Sequence, residues 1–201
     1  MSNGRIKKLN PLAETKFLSL YDAVYNNKKG NEKHWVIASR KNYTTLSEQF
    51  FQGKEEGIDA VILAALHKET NCLVLIRQFR IPLNDYVYEL PAGLIDNNES
   101  IEIAVRRELM EETGLSLLDI NYDKSAKKVY ASAGMTDECA SIVYCTCEGV
   151  LSDKYLEDDE DIEATLVTKQ KAKELLKQDV KMDMRAYLVL QSFANFGADI
   201  F

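Results

Sequence analysis

Three glutamates lie close together at one point of the chain: Glu108, Glu111 and Glu112. Successive residues of a helix are rotated by about 100° from one another, so on a helix these side chains would occupy or border the face that carries Val105 and Leu109. Carboxylates held against an apolar face need a compensating cation. Because no cysteine or histidine accompanies them, the oxygen donors favour Mg²⁺ or Mn²⁺ over zinc.

A helix is the element that must position these glutamates. Apolar residues recur at helical spacing over Ile101 to Thr113, Ser100 suits the N-cap, and Gly114 suits the position after the last turn. The helix dipole disfavours each negative charge in the last turn by about 0.3 to 1 kcal/mol. A bound metal would offset that cost, whereas an acidic helix end that contacts only water is the alternative interpretation.

The elements around this helix are predicted to be mostly strands. Between Lys16 and Arg40, two strand-like runs flank the turn-rich segment NNKKGNE, which indicates a β-hairpin or small sheet. The polar segment Thr44 to Gly57 is expected to connect it to the main body. Further strands are predicted at 58–69, 72–80, 86–93, 115–122, 128–131, 140–148 and 162–167, with helices at 169–177 and 183–196. This order predicts an α/β protein in which helices sandwich a mixed sheet.

Composition limits the classes of partner. A chain of 201 residues with 46% apolar content can bury one domain with an appendage. A net charge of −7 argues against nucleic-acid and anionic-membrane partners. Cysteines 72, 139, 145 and 147 lack CxxC spacing and are expected to be reduced thiols. With no apolar segment in the first 16 residues and no run of about 18 apolar residues, we expect a soluble cytoplasmic protein.

The glutamate helix is part of a longer string that resembles the Nudix box. Fixed residue types separated by five, seven, one and one residues make a chance match on the order of one in a million. The positions that match are Gly93, Glu99, Arg107, Glu108, Leu109, Glu111, Glu112, Gly114 and Leu115. The resemblance implies a Nudix fold and metal-dependent hydrolysis of a nucleoside diphosphate derivative.

The resemblance also assigns roles within the box. The metal ligands that it implies are Glu108 and Glu112, with Glu111 in support and the backbone carbonyl of Ala92 or Gly93 as a further ligand. Arg107 is expected to orient the glutamates and Glu99 to brace the loop. Gly93 is consistent with this because backbone must approach metal and phosphate closely there.

A carboxylate outside the box commonly acts as general base. Glu160, in the acidic run EDDEDIE, occupies the place where the similar ADP-ribose pyrophosphatases carry a loop glutamate. Glu157 and Glu163 are the alternative bases, and a solvated acidic loop without a catalytic role remains open.

Outside the box, the segment LIRQFRIPLNDYVYELPAGLID is similar to the ADP-ribose pyrophosphatase subfamily, and the likeness extends from about Phe17 to Phe193. It implies that Arg80 reaches substrate phosphate or ribose, although a surface salt bridge is the alternative. Trp35 is expected to stack on adenine, assisted by Arg40. Phe17 is the opposing aromatic, supplied by the partner in a homodimer with exchanged hairpins. Packing within the hairpin is the alternative for both aromatics.

The subfamily usually carries a proline where this chain has Ala133, and loss of the proline is expected to loosen that loop. Gly134 and Glu138 remain, so a ribose contact by Glu138 is retained as a prediction. Residues 1–56 are thus expected to serve dimerisation and base recognition, and residues 57–201 to form the Nudix hydrolase domain.

The predicted reaction converts ADP-ribose to AMP and ribose 5-phosphate. GDP-mannose or another nucleotide sugar is the alternative substrate. A non-catalytic Nudix ligand sensor is the alternative of another class, but it predicts eroded box glutamates and an added DNA-binding domain, and the glutamates are intact.

Overall fold

A computed structural model describes residues 4–158 and 160–201 of the chain. It divides into two compact units. The first comprises the residues up to Asp59 together with Val129–Ala140, and the second comprises Ala60–Lys128 and Ser141–Phe201. The predicted α/β class is confirmed. No helix among the described residues is both long and apolar enough to cross a membrane.

The first unit is built on an antiparallel sheet in the order β1-β2-β3. Its strands are β1 (Ile6–Glu14), β2 (Ser19–Asn26) and β3 (Glu32–Ser39). The predicted hairpin is confirmed as β2 and β3. Strand β1 was not predicted, because its alternation is weak: only Leu9 is fully buried within a run of charged and polar residues.

The segment Thr44 to Gly57, predicted to connect the hairpin to the main body, contains most of a helix that the sequence analysis did not predict. Helix α1 (Tyr43–Phe51) begins there, and the side chain of Asn42 caps it by accepting a hydrogen bond from the Thr45 amide at 2.9 Å. Leu46 is fully buried and joins Leu9, Tyr21 and Ala23 in the core of this unit. The sequence analysis missed this helix because polar residues surround its short apolar face.

The second unit contains the larger sheet, with strand order β10-β5-β4-β9-β8, β6 beside β5, and β7 beside β4. Its elements are β4 (Ala60–His67), β5 (Cys72–Arg80), β6 (Asp85–Glu89), β7 (Ala92–Leu94), α2 (Ile101–Thr113), β8 (Ser116–Tyr130), β9 (Cys139–Glu148), β10 (Ile162–Val167), α3 (Lys169–Leu175) and α4 (Met184–Phe196). The two strands predicted at 115–122 and 128–131 are one continuous strand, β8. The ends of β8 and β9 nearest residues 131–138 belong to the first unit.

The central sheet is mixed. Strands β4 and β5 are antiparallel, whereas the amides of Asp59 and Lys68 donate to the carbonyls of Cys139 and Cys147, so β4 and β9 run in the same direction. Helix α2 packs Ala104, Val105 and Leu109 into the core that these strands form. All four cysteines are buried and free, as predicted.

A cluster of partly buried ionic side chains connects segments of the first unit. The ammonium of Lys41, with only 10% of the side chain exposed, lies 2.8 Å from Asp137 Oδ2 and 3.1 Å from Asp59 Oδ1. Burial alone would lower the pKa of Lys41, but the hydrogen bonds to the two carboxylates outweigh it and raise that pKa. Asp59 also accepts the amide of Cys139 at 2.9 Å. The cluster thereby joins three segments that are distant in sequence.

We predict that Lys41→Ala lowers the free energy of unfolding by about 3 kcal/mol, because two partly buried carboxylates lose their counter-charge. Urea unfolding measures this difference. The matched control is Lys54→Ala, which removes an exposed pair with Glu48 and is expected to cost less than about 1 kcal/mol. Equal losses in the two variants would contradict the role assigned to the cluster.

Candidate active site

Helix α2 holds the glutamates, and its predicted ends are confirmed. The hydroxyl oxygen of Ser100 accepts a hydrogen bond from the Ile103 amide, and Gly114 follows the last turn with a φ of 73°. The face directed at the core contains two acids besides its apolar residues: Glu108 is 7% exposed and Glu112 is 4% exposed. A helix that buries two carboxylates requires partners for both.

Arg107 is the counter-charge for three of the acids. Its guanidinium donates to both oxygens of Glu99 at 3.0 and 2.9 Å, to Glu108 at 2.7 Å and to Glu111 at 3.0 Å. It also donates to the carbonyl of Leu94 at 2.9 Å. The bond from Arg107 lowers the pKa of Glu99. Arg107, to which the resemblance assigned the orientation of the glutamates, thus contacts two of them and Glu99.

Glu112 is the most deeply buried acid of the site. Its Oε2 accepts a hydrogen bond from the Ala92 amide on β7 at 2.9 Å. Burial raises the pKa of Glu112 well above its ordinary value, and the negative charges of Glu108 and Glu160 raise it further, whereas Ala92 and Arg80 act in the opposite direction. Burial likewise raises the pKa of Glu108. These two carboxyls therefore lie in a place that favours added positive charge.

Gly93 lies directly against this pair. A methyl group on residue 93 would overlap the carboxylate of Glu108. The sequence analysis predicted a close approach of this backbone to metal and phosphate, and the structure places the Glu108 carboxylate against it. Strand β7 is held in place by pairing with β4, which sets Val61 opposite Gly93.

The donor set fits a hard divalent cation. Glu108, Glu112 and Glu111 supply carboxylate oxygens, and β7 brings backbone beside them. Among residues 4–158 and 160–201, no three acidic, histidine or cysteine side chains already surround one point as metal ligands do. Arg107 donates hydrogen bonds to Glu108 and Glu111, and the Ala92 amide donates one to Glu112. Ala92 thus contacts the site through its amide, whereas the sequence analysis expected the carbonyl of Ala92 or Gly93 to be a metal ligand.

Arg80, the predicted substrate contact, is held by Glu89. Two parallel hydrogen bonds of 2.7 Å join the guanidinium to the two oxygens of this carboxylate, and the bond raises the pKa of Arg80. Glu89 is buried, but the Arg80 side chain is 42% exposed. The salt bridge considered as an alternative role therefore exists, and it also fixes the orientation of a partly exposed arginine.

The three candidate bases in the acidic loop differ in their surroundings. Glu160 raises the pKa of both Glu108 and Glu112, so its charge acts on the buried pair. Glu163 is 65% exposed and pairs with Arg77 at 3.1 Å. Glu157 is exposed and donates its amide to Glu160 Oε2 at 2.9 Å.

The first unit brings together four residues predicted to bind substrate. The indole N–H of Trp35 donates to the carbonyl of Gly134 at 3.1 Å, and Arg40 Nε donates to Glu138 Oε1 at 2.6 Å. Phe17 lies in the turn between β1 and β2, 67% exposed, and is not among the residues that line the pocket beside Trp35.

That pocket has a volume of about 350 Å³ and a mainly apolar lining. Its lining residues are Trp35, Ile37, Phe50, Glu56, Tyr130, Ala133, Gly134, Met135, Thr136 and Asp137. Phe50 and Tyr130 were missed by sequence reasoning, since they come from the unpredicted helix α1 and from the end of β8. No spacing rule connects residues so distant in the chain.

Comparison with known proteins identifies a family for this chain. Residues 53–188 match the NUDIX domain family. The ADP-ribose pyrophosphatase of Saccharomyces cerevisiae is 32% identical over 181 residues, which are 87% of this chain and 73% of that protein. The ADP-sugar pyrophosphatase of Mus musculus is 33% identical over 106 residues, 51% of this chain and 44% of that protein.

A crystal structure described as an ADP compounds hydrolase has a TM-score of 0.68 and 18% identity, and the match covers 96% of this chain and 95% of that one. This likeness shows the fold. The family match covers more than half of the chain and includes the whole glutamate helix with Gly93 and Glu160. The chain belongs to the Nudix family.

Proposed function

We propose that this protein hydrolyses the pyrophosphate bond of ADP-ribose to AMP and ribose 5-phosphate, with Mg²⁺ as the metal. The observation that carries the proposal is the burial of Glu108 and Glu112 against the backbone of Ala92 and Gly93, with the charge of Glu160 acting on both. The names of the yeast and mouse relatives support an ADP-containing substrate.

In this proposal one group of side chains binds the metal. Glu108 and Glu112, supported by Glu111 and a backbone carbonyl of residue 92 or 93, would hold the divalent ion. When bound, that ion neutralises the diphosphate and polarises its phosphorus. Arg107 keeps the glutamates in place from one side.

The proton transfer is assigned to Glu160. As general base it removes a proton from the water that attacks phosphorus, and the bond between phosphorus and the bridging oxygen breaks, which leaves a phosphate monoester on each product. Arg80, oriented by Glu89, binds a substrate phosphate or ribose. A guanidinium with a fixed orientation suits this because it presents several N–H donors in one plane.

Recognition of the base and ribose is assigned to residues of the first unit. Trp35 offers an aromatic face, which contributes on the order of 1 to 3 kcal/mol to binding a base in other sites, and the pocket beside it is mainly apolar. Arg40, Gly134 and Glu138 supply polar contacts. Phe17 is exposed, which is compatible with the proposed homodimer in which it reaches the partner's base.

The first prediction from this proposal concerns the substrate. With Mg²⁺, purified protein should show its highest kcat/KM on ADP-ribose in a panel that includes GDP-mannose, NADH and diadenosine polyphosphates, with AMP and ribose 5-phosphate as products. A higher kcat/KM for GDP-mannose would contradict the substrate assignment. Binding of ADP-ribose without turnover of any substrate, in Mg²⁺ or Mn²⁺, would instead indicate a ligand sensor.

In the same assay, Glu160→Gln should lower kcat by about 10² to 10⁴ and keep the thermal stabilisation by Mg²⁺, while Glu157→Gln serves as the matched control.

The second prediction concerns Gly93. Gly93→Ala should lower kcat/KM on the order of 100-fold, because the added methyl group displaces the Glu108 carboxylate. The metal-induced rise in melting temperature should shrink in parallel. Gly57→Ala is the matched control, since a methyl group there meets no atom within 4 Å. Equal Mg²⁺ responses in the two variants would rule out the role given to this glycine.

The third prediction concerns pH. Because the folded-state pKa of Glu112 is raised, the folded protein binds that proton more tightly than the unfolded chain. The stability that this proton provides is present at low pH and is lost as pH rises through the raised pKa. Without metal, the melting temperature of Glu112→Gln relative to wild type should therefore increase between about pH 5 and pH 8.

Saturating Mg²⁺ should reverse this order at the upper pH, because the metal binds the ionised carboxylate and stabilises only the folded wild type. Differential scanning fluorimetry with and without chelator measures both effects. Parallel pH profiles of the two proteins would show that burial of Glu112 does not perturb its titration.

A further inference from the structure

The loop that carries Glu160 is fastened to the sheet immediately after that residue. The amide of Phe79 donates to the carbonyl of Asp161 at 3.1 Å, and the hydroxyl of Tyr86 donates to Asp161 Oδ2 at 2.6 Å. From Ile162 onward the chain is strand β10, paired with β5. Asp161 is therefore held by its backbone and by its side chain at the point where the loop enters the sheet.

In the described part of the loop upstream of Glu160, residues 153–158, the hydrogen bonds are local. The amide of Glu160 donates to the carbonyl of Glu157 at 3.0 Å, and Glu160 Oε2 accepts the amide of Glu157 at 2.9 Å. These bonds close a turn within the loop. The loop begins at a bond from the Ser152 amide to the carbonyl of Thr113 at the end of α2, eight residues before Glu160. Among the described residues, the downstream attachment at Asp161 is thus adjacent to Glu160, whereas the upstream one at Ser152 is eight residues away.

The ring of Tyr86 is fixed independently of its hydroxyl. Phe79 lies opposite Tyr86 in the β5–β6 register, and the two rings meet edge to face with centroids 5.4 Å apart. The guanidinium of Arg77 lies 4.3 Å above the Tyr86 ring centroid, and Arg77 also pairs with Glu163 on β10. The bond to Asp161 keeps the proton on the phenol, since it raises the pKa of Tyr86.

We infer that Tyr86 is a positioning residue for the general base. Its hydroxyl, through Asp161, fixes the chain beside Glu160 and so keeps that carboxylate where it acts on the Glu108 and Glu112 pair. A hydrogen bond to an ionised acceptor is about twice as strong as one between neutral groups. A general base must lie within hydrogen-bond reach of the proton it removes, and the inference rests on the proposed role of Glu160.

The test is Tyr86→Phe in the full chain, assayed with ADP-ribose and Mg²⁺. The phenyl ring keeps its contacts with Phe79 and Arg77, while the hydrogen bond to Asp161 is lost. We expect kcat to fall about tenfold with KM changed less than about twofold, because a displacement of the base by a fraction of an ångström affects the transition state and not substrate binding. Tyr88→Phe removes a hydroxyl from the same strand and is the matched control, expected to keep the wild-type kcat.

A double-mutant cycle separates positioning from general loss of stability. If the Tyr86 hydroxyl acts through Asp161, adding Tyr86→Phe to Asp161→Ala should lower kcat no further, since the partner is already gone. Multiplied losses in kcat would mean that the two residues act independently, which would overturn the inference. A thermal melt of each variant accompanies the kinetics.

The proposed function and this inference fail in different ways. If wild type hydrolyses ADP-ribose, Glu160→Gln is slow and Tyr86→Phe has the wild-type kcat, the inference is wrong and the proposed function stands. If Glu160→Gln retains the wild-type kcat, the assignment of the base is wrong and the inference falls with it. A fall in kcat with Tyr86→Phe, an unchanged KM and a non-additive cycle with Asp161→Ala support it.

Discussion

Two carboxylates buried on the core-facing side of one helix determine how this site is built. Transfer of an ionised carboxylate from water to a protein interior costs several kcal/mol unless other charges and hydrogen bonds compensate it. At Glu108 the compensation comes from Arg107, and at Glu112 it comes from the Ala92 amide. The raised pKa of each group shows that this compensation is incomplete. A divalent cation is the addition that would complete it.

Other features of the second unit follow from this constraint. Residue 93 has no room for a side chain because the Glu108 carboxylate occupies that space. The Glu99 side chain, which is 7% exposed, lies beside Arg107 and fixes a guanidinium that would otherwise be free to turn to solvent. The same arginine serves three acids, so loss of any one of them changes the surroundings of the other two. Like the residues of other shared networks, these side chains are expected to act non-additively.

The elements that could be predicted from the sequence are those whose residue types recur at short, regular spacings along the chain. Caps one residue outside each end of α2 and a face repeating every three to four residues were sufficient to define that helix. Strand β1 and helix α1 were missed because each buries few residues among many polar ones. The contacts of Lys41 with Asp59 and Asp137, and of Tyr86 with Asp161, join residues that only the folded chain brings together. No local pattern of residue types encodes such pairs.

The loop with Ala133 lacks the proline that the resemblance to the subfamily led us to expect at that position. Loss of a proline removes a constraint on the backbone, yet this loop has other constraints. Within it, the amides of Met135 and Thr136 donate to the Ser132 carbonyl, and Ala38 on β3 donates to the Met135 carbonyl. The same loop is bonded to β3 and the residues just after it by three side-chain contacts: Trp35 with Gly134, Arg40 with Glu138, and Lys41 with Asp137. A proline would restrict one φ angle, whereas these bonds restrict the loop at successive residues. Hydrogen bonds to the neighbouring strand therefore define the conformation of this loop, and the ion pair at Glu138 lies at the end of that series.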